Sequence, residues 1–428
     1  MVTKYKQTEI GTIPDDWDVK VLGELASPKA RIGWQNLRKD EYLDSGSYML
    51  ITGTDFENGR IHYETCKYVS KARYEQDENI QVKNGDVLIT KDGTLGKIAM
   101  VQNLHMPATL NAGVFVLTHL SDAVNNGFLY QYLRTERLMK YAEKTSTGGT
   151  IQHLNQGVLV NFPVPIPPME EQRRIAQSLS DMDALIAQSE QVVEKYQALK
   201  QTCLQHMFPR QGQTEPDMRL PGFTGAWEQR KLGDIVRVKG RIGFRGYTQK
   251  DIITREKGGI LTFSPTNIVD NQLTLKVRNT YITQEKYDES PEIQVKNGDI
   301  LFVKTGSTLG KSALVSRLLE PASINPQIVV IRSDQKIQYF LFSQLISESI
   351  QKQVFIAKIG GAVPTMTEAK IKDFDIFIPN NFKESEQIGK FFADIDYIIT
   401  LHQRKCKKLK LMKQGMMEEL LTGKVRLV

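Results

Sequence analysis

Gln81-Val82-Lys83-Asn84-Gly85-Asp86 recurs letter for letter at Gln294-Val295-Lys296-Asn297-Gly298-Asp299. In each copy an Asn-Gly pair precedes an apolar run, Val87-Leu88-Ile89 or Ile300-Leu301-Phe302-Val303, which signals a strand entered through a tight turn. Working outward, Thr94-Leu95-Gly96-Lys97 returns as Thr308-Leu309-Gly310-Lys311 after a one-residue insertion. Upstream, Arg31-Ile32-Gly33-Trp34 returns as Arg241-Ile242-Gly243-Phe244, and Trp17 to Glu24 returns as Trp227 to Asp234. Downstream, Asp181-Met182-Asp183 matches Asp394-Ile395-Asp396, and Lys200-Gln201 matches Lys413-Gln414. A period of about 210 residues far exceeds the roughly 20–50 of solenoid units. The module is a duplicated domain, so a pseudo-two-fold object is expected, with two similar readers suited to a target that also has two halves.

At 428 residues the chain exceeds the roughly 250–300 at which one core stops growing, so at least two domains are expected. No run of about 18 apolar residues suggests a membrane helix. The start, Met1-Val2-Thr3-Lys4-Tyr5-Lys6-Gln7, lacks the apolar stretch of a signal peptide. Three widely spaced cysteines, Cys66, Cys203 and Cys406, argue against a disulfide framework or a zinc site. A cytoplasmic protein is the expectation. The net charge of +7 is concentrated in the second half, and a basic surplus of this size only weakly favours a nucleic-acid partner.

The texture changes once within each repeat. Residues 1–168 and 213–383 mix short β-type runs with Gly, Asn and Asp, and carry helical patches at Phe128 to Tyr141 and Ile337 to Phe355. These read as α+β units of ordinary domain size. From Glu170 to about Phe208 there is neither Gly nor Pro, and apolar residues fall at helical spacing. Ile175, Leu179, Met182, Ile186, Val193 and Tyr196 form a stripe that Leu185, Val192 and Leu199 widen. In the second copy Ile388, Ile395, His402, Leu409 and Met416 lie seven apart, with Phe391, Ile398 and Met412 expected at the other seam position. Such a heptad pattern predicts two long helices paired as an antiparallel coiled coil, with a globular unit at each end and His402 fixing register. The basic run Arg404, Lys405, Lys407, Lys408, Lys410 fits either a solvated face or contact with phosphate or an acidic partner.

Signatures of catalysis fail on inspection. Gly306-Ser307-Thr308-Leu309-Gly310-Lys311-Ser312 is one residue short of a phosphate-binding GxxxxGK[ST] loop. There is no GxGxxG after a strand and no Asn/Asp-Pro-Pro-Tyr/Phe motif to hold an amine for methylation. The histidines show no ligand spacing. The expectation is a non-catalytic chain.

In this context the pattern resembles the specificity subunits of type I restriction–modification enzymes. The resemblance spans the chain. It rests on Trp17…Leu22-Gly23-Glu24, on Asn84-Gly85-Asp86-Val87-Leu88-Ile89…Gly93-Thr94-Leu95-Gly96-Lys97, and on Ile166-Pro167-Pro168-Met169-Glu170-Glu171-Gln172-Arg173-Arg174-Ile175-Ala176 with Asp181-Met182-Asp183. The second boundary departs modestly, reading Ile378-Pro379-Asn380 and Ser385-Glu386-Gln387-Ile388 without the double proline. The resemblance implies two tandem α/β target recognition domains, residues 1–168 and 213–383. It also implies two conserved long-helix spacers, one in 169–212 with a linker and one in 384–428. Each domain would read half of a bipartite, asymmetric site in double-stranded DNA, and the helices would act as a ruler and dock two modification subunits. Those partners would carry S-adenosylmethionine and methylate adenine, while restriction/translocase subunits would use ATP and magnesium. The chain itself would bind no cofactor, no metal and no membrane. On the residues alone, a free-standing DNA-binding regulator and a scaffold without a DNA role are the competing classes.

Candidate DNA contacts follow. Lys97 and Lys311, with Thr94 and Thr308, fit phosphate contacts on a glycine turn or the turn's plain structural edge, and Lys91 and Lys304 share that segment. Thr147-Gly148-Gly149-Thr150 and Lys358-Ile359-Gly360-Gly361 are loops where backbone can approach DNA closely. Gln152, His153 and Asn155 follow the first loop and suit base edges. Arg31, Trp34 and Arg38, with Arg241, Phe244 and Arg245, form aromatic-basic clusters suited either to DNA or, for the aromatics, to the core.

Overall fold

A computed structural model describes residues 4–118, 120–145, 153–361 and 363–428, and of Trp34 and Phe244 the backbone only. Thr147, Gly148, Gly149, Thr150 and Gln152 therefore lie outside the described residues. The chain divides into two compact units, Met1–Ser189 with Lys405–Val428, and Glu190–Arg404. Each unit holds one globular repeat and half of each long helix.

In the first unit the central sheet runs Ile98–Met100, Val87–Thr90, Val114–Thr118, Ser27–Lys29, every pair antiparallel. Its strands are buried on both faces. Val87, Ile89, Phe115 and Leu117 point into one core, Leu88, Val114 and Val116 into the other. That two-sided burial is why these strands read as unbroken apolar runs instead of alternating. Behind the second core, Ala108–Leu110 pairs parallel with Met49–Ile51. The second unit repeats the plan. Its central sheet is Arg237–Gly240, Ile328–Arg332, Ile300–Val303, Ser312–Leu314, and Ala322–Ile324 lies parallel to Ile260–Phe263.

The letter-for-letter repeat is a folding device. Gly85 and Gly298 take φ of 95° and 92°, a left-handed conformation that favours glycine. Asp86 accepts the Lys83 backbone N–H at 2.8 Å, and Asp299 accepts that of Lys296 at 2.7 Å, closing each turn ahead of its central strand. The helical patches are each two helices, Asn126–Leu133 and Arg137–Thr145 in one unit, Gln338–Leu345 and Glu348–Ala357 in the other. At the first break Thr135 Oγ1 bonds the Tyr132 carbonyl at 2.7 Å, satisfying a helix-end acceptor locally.

Met169–His206 and Phe382–Leu420 are continuous helices of 38 and 39 residues, on the order of 57 Å each. The seam is phased differently from the sequence expectation. Phe392, Ile399, Cys406, Lys413 and Leu420 are the buried partners of the Ile388 series, whereas Met412, Leu185 and Leu199 are exposed. The correct phase is hidden because one seam position is a lysine. Lys413 Nζ lies 2.7 Å from both carboxylate oxygens of Asp183, and Arg134 and Gln131 also donate to that carboxylate, at 2.7 and 2.9 Å. In the second unit Lys200 Nζ meets Asp396 at 2.6 Å. Thus in each unit one helix offers Asp and the other Lys, and the halves so joined run antiparallel.

Burial raises the Asp183 carboxyl, but the Arg134 and Lys413 charges outweigh it and hold the group below its ordinary value. Burial and the nearby Arg134 push the Lys413 ammonium down to about 8. The helix entrances are clamped alike. Glu171 accepts Trp17 Nε1 at 3.0 Å and Arg426 Nε at 2.7 Å, and Arg426 also bridges to Asp16. In the second unit Arg219 makes the matching fork to Glu384 at 2.7 and 2.8 Å. This corrects the reading of the second boundary. The buried counterparts of Glu171-Gln172 are Glu384-Ser385, and Glu386-Gln387 is an exposed coincidence of letters.

Candidate nucleic-acid interface

In each unit the strand that follows the Asn-Gly turn ends in a glycine turn, and the structure brings that turn against His153-Leu154 or Thr365-Met366, which follow the paired helices. In the first unit Gly93 and Gly96 take φ of 71° and 69°. Thr90 Oγ1 bonds the Thr94 carbonyl at 2.5 Å and receives the Lys97 N–H at 2.9 Å. Leu154 N–H donates to the Lys91 carbonyl at 2.9 Å, and the His153 ring pairs with Asp92 at 2.5 Å. In the second unit Met366 N–H donates to the Lys304 carbonyl at 2.8 Å, and the hydroxyls of Thr305 and Thr365 meet at 2.7 Å. The same junction is thus sealed by an acid–imidazole pair in one unit and a hydroxyl pair in the other. His153, expected to read bases, is engaged here, while Asn155 is exposed at the start of the short helix Gln156–Val160.

The candidate cations differ in availability. Lys311 and Lys358 are exposed, and neither has an ion pair among the described residues. Lys358 Nζ rests 3.8 Å from the Phe355 ring centroid. Lys97 is half-buried, donates to the Phe56 carbonyl at 3.2 Å, and lines a cleft of about 410 Å³ with Arg134. Lys91 lies 5.3 Å from the Phe115 ring centroid, and Lys304 is 3.7 Å from Glu368. Thr94 is exposed, Thr308 half-buried, and Gly360 and Gly361 exposed. Gly310 carries φ 89°, and a Cβ there would come 2.9 Å from both Gln351 and Val354. The turn therefore packs directly on the helix Glu348–Ala357.

Arg31 and Arg241 are corrections. They are 2% and 5% exposed, far too buried to face DNA. Arg31 Nε donates to the Leu110 carbonyl at 3.0 Å and Nη2 to Thr109 Oγ1 at 3.2 Å. Arg241 repeats this on Ile324 at 3.2 Å and Ser323 at 2.9 Å. Burial lowers both guanidinium pKa values. A buried cation must be satisfied by acceptors, and these two tie their segments to the parallel strand. Arg245 is half-buried and bonds the Glu289 carbonyl at 2.9 Å. Beside the buried arginines, Ile32 and Ile242 are exposed.

A further group escaped the sequence reading. Phe355, Ile356, Ile359 and Val363 are all exposed, around the glycines already singled out. The available signal was phase. Ile350 and Val354 form the buried stripe of their helix, and Phe355 and Ile356 fall off it. Among the described residues no group of three His, Cys, Asp or Glu is placed to hold a metal ion, and no helix is long and apolar enough to cross a membrane.

A family profile described as type I restriction modification DNA specificity domain matches twice, over residues 14–195 and 225–411. The specificity subunit of the type I restriction enzyme MjaVIII from Methanocaldococcus jannaschii is 21% identical over 437 residues, spanning 99% of this chain and 96% of the relative. That of MjaIX from the same organism is 25% identical over 452 residues, spanning 99% and 97%. The crystal structure of a type I restriction-modification system S subunit from M. genitalium shares the fold, with a TM-score of 0.60 at 14% identity over 98% of this chain and 99% of that one. Two matched domains and two long helices leave one assignment: the chain belongs to the type I restriction–modification DNA specificity family, as a non-catalytic specificity subunit that recognises DNA.

Proposed function

We propose that the chain recognises a bipartite, asymmetric DNA site, one half per domain, and docks modification and restriction subunits onto it. The observation that carries this reading is the repeat itself. Two domains share their sheet plan and a set of scaffold motifs but differ at the junction of glycine turn and loop, as two readers of unlike half-sites would. Phosphate contacts from exposed lysines set position, and contacts to base edges specify.

Docking is supported by apolar side chains left exposed on the long helices. They include Leu185, Leu411 and Met412 in the first unit, and Leu199, Tyr397 and Leu401 in the second. Such a stripe on an otherwise polar helix suits the apolar face of a partner helix. S-adenosylmethionine, ATP and magnesium belong to the partners, since this sequence carries neither the glycine-rich loop nor the amine-holding motif of a methyltransferase. A cytoplasmic location accords with a DNA substrate.

The test is to isolate the tagged chain from cells that also express the modification subunit, and to map methylated adenines in their DNA. Co-isolation together with a two-part methylated motif is expected. A contiguous motif, or methylation that persists without this chain, would refute the reading.

A further inference from the structure

Phe355 is 68% exposed, Ile356 81%, Ile359 54% and Val363 63%. Four large apolar side chains this open within nine residues are more than the scattered surface apolars of an ordinary domain. The segment is also pinned. Ile359 and Thr365 exchange both backbone hydrogen bonds at 2.9 Å, and Gly306 N–H holds the Pro364 carbonyl at 2.9 Å. Gly360 supplies the reversal with φ 89°. The result is a hydrogen-bonded projection whose apolar side chains are presented at little further ordering cost.

Its electrostatic setting selects the occupant. Nearby acids are matched, Glu348 by Lys352 and Glu368 by Lys304, while Lys311 and Lys358 are exposed and keep uncompensated charge. The surroundings favour a polyanion. An apolar side chain gains nothing from a phosphate, so beside a polyanionic backbone its available partners are bases. Those are a thymine methyl in the major groove, or the faces of a step it opens.

We propose that Phe355, Ile356, Ile359 and Val363 form an apolar finger that contacts bases in the half-site read by the second domain. The inference rests on the reading that the chain binds a bipartite DNA site, and it names residues that set specificity there. Lys358 and Lys311 hold the flanking phosphates while the finger reads.

The test uses the full chain with its modification partners in cells, comparing wild type with an F355S/I356S/V363S variant and with I359S. All four side chains are more than half exposed, so the fold should tolerate the changes, which thermal unfolding checks. Adenine methylation is mapped and the co-purifying modification subunit quantified. The expected result is an unchanged first half-site, with discrimination at one or more positions of the second falling about tenfold. Loss of methylation with normal assembly also supports the finger. An unchanged motif with unchanged discrimination overturns it, as does loss of the modification subunit from the complex, which would make the patch a protein-docking surface. A wild-type chain that yields no two-part motif sinks the DNA reading itself, and that outcome is visible before any variant is compared.

Discussion

Replacing Asp183 by alanine should be the most damaging single change on the long helices. Lys413 is 7% exposed and Arg134 17%, and the two share one carboxylate that is 19% exposed. Without it, two cations face each other at the helix pair. Breaking a buried pair from one side costs about 3–5 kcal/mol. Because the carboxylate keeps some solvent, the lower end applies, about 3 kcal/mol. For a unit of this size each kcal/mol moves the midpoint by about 2–4 °C, so a fall of about 6–12 °C is expected. K413M should behave differently. Lys413 is already strained by burial, as its lowered pKa of about 8 shows, and its removal leaves Asp183 satisfied by Arg134 and Gln131. That variant should lose no more than about 1 kcal/mol. D396A should fall between the two, at about 1–2 kcal/mol, because Ile346 stands at the helix C-cap that Arg134 occupies in the first repeat and no second cation is stranded. Scanning calorimetry on the full chain measures all three. If D183A melts within about 3 °C of wild type, or K413M is as damaging as D183A, the reasoning fails.

Acid should expose the same group. A carboxyl held below its ordinary value of 3.8 contributes stability that is complete above that pH and is lost as pH falls through its lower folded value. D183N should therefore flatten the acid limb of a stability–pH curve, and an identical limb would contradict this. R426A should destabilise by about 3 kcal/mol by stranding the buried Glu171. R426K should not rescue it, since only the guanidinium fork reaches Glu171 and Asp16 together; paired urea titrations decide. K311A and K358A should weaken DNA binding by the assembled complex across sequences, and each should lower the salt slope by about one. Anisotropy titrations at several potassium chloride concentrations would show an unchanged slope if neither lysine meets phosphate. Exchanging residues 1–168 for the corresponding domain of another specificity subunit should change one half of the methylated motif. A change in both halves would refute independent reading.

Much of this was legible in the sequence, and the misses have physical causes. The duplication, the Asn-Gly turns and the two long helices stood out, because glycine and periodicity act locally. The seam phase did not, because Lys413 sits at a buried position through an ion pair to the other helix, and no local pattern announces a distant carboxylate. Arg31 and Arg241 read as surface cations for the same reason. Their acceptors are backbone carbonyls and hydroxyls on a strand about 80 residues away in sequence, at separations of 79 and 83. The apolar finger was passed over because a helix-ending Phe-Ile reads as core until the buried stripe of its helix is known.

The repeated residues whose contacts are now defined turn out to build, not to read. Gly85 and Gly298 make the turn, and Asp86 and Asp299 close it. Arg31 and Arg241 tie the parallel strand, Asp183 with Lys413 and Asp396 with Lys200 join the helices, and Arg426 and Arg219 clamp their entrances. On the proposal that the two domains read unlike half-sites, the sequence-reading groups fall outside that set. One such difference lies where the glycine turn meets the residues that follow the paired helices. There Asp92–His153 becomes Thr305–Thr365, and Lys97, turned to a carbonyl, becomes the exposed Lys311. The shared turn, tie and clamp residues are therefore scaffold, and on the proposed function the groups that distinguish the half-sites are to be sought among positions that differ between the copies in residue or in setting.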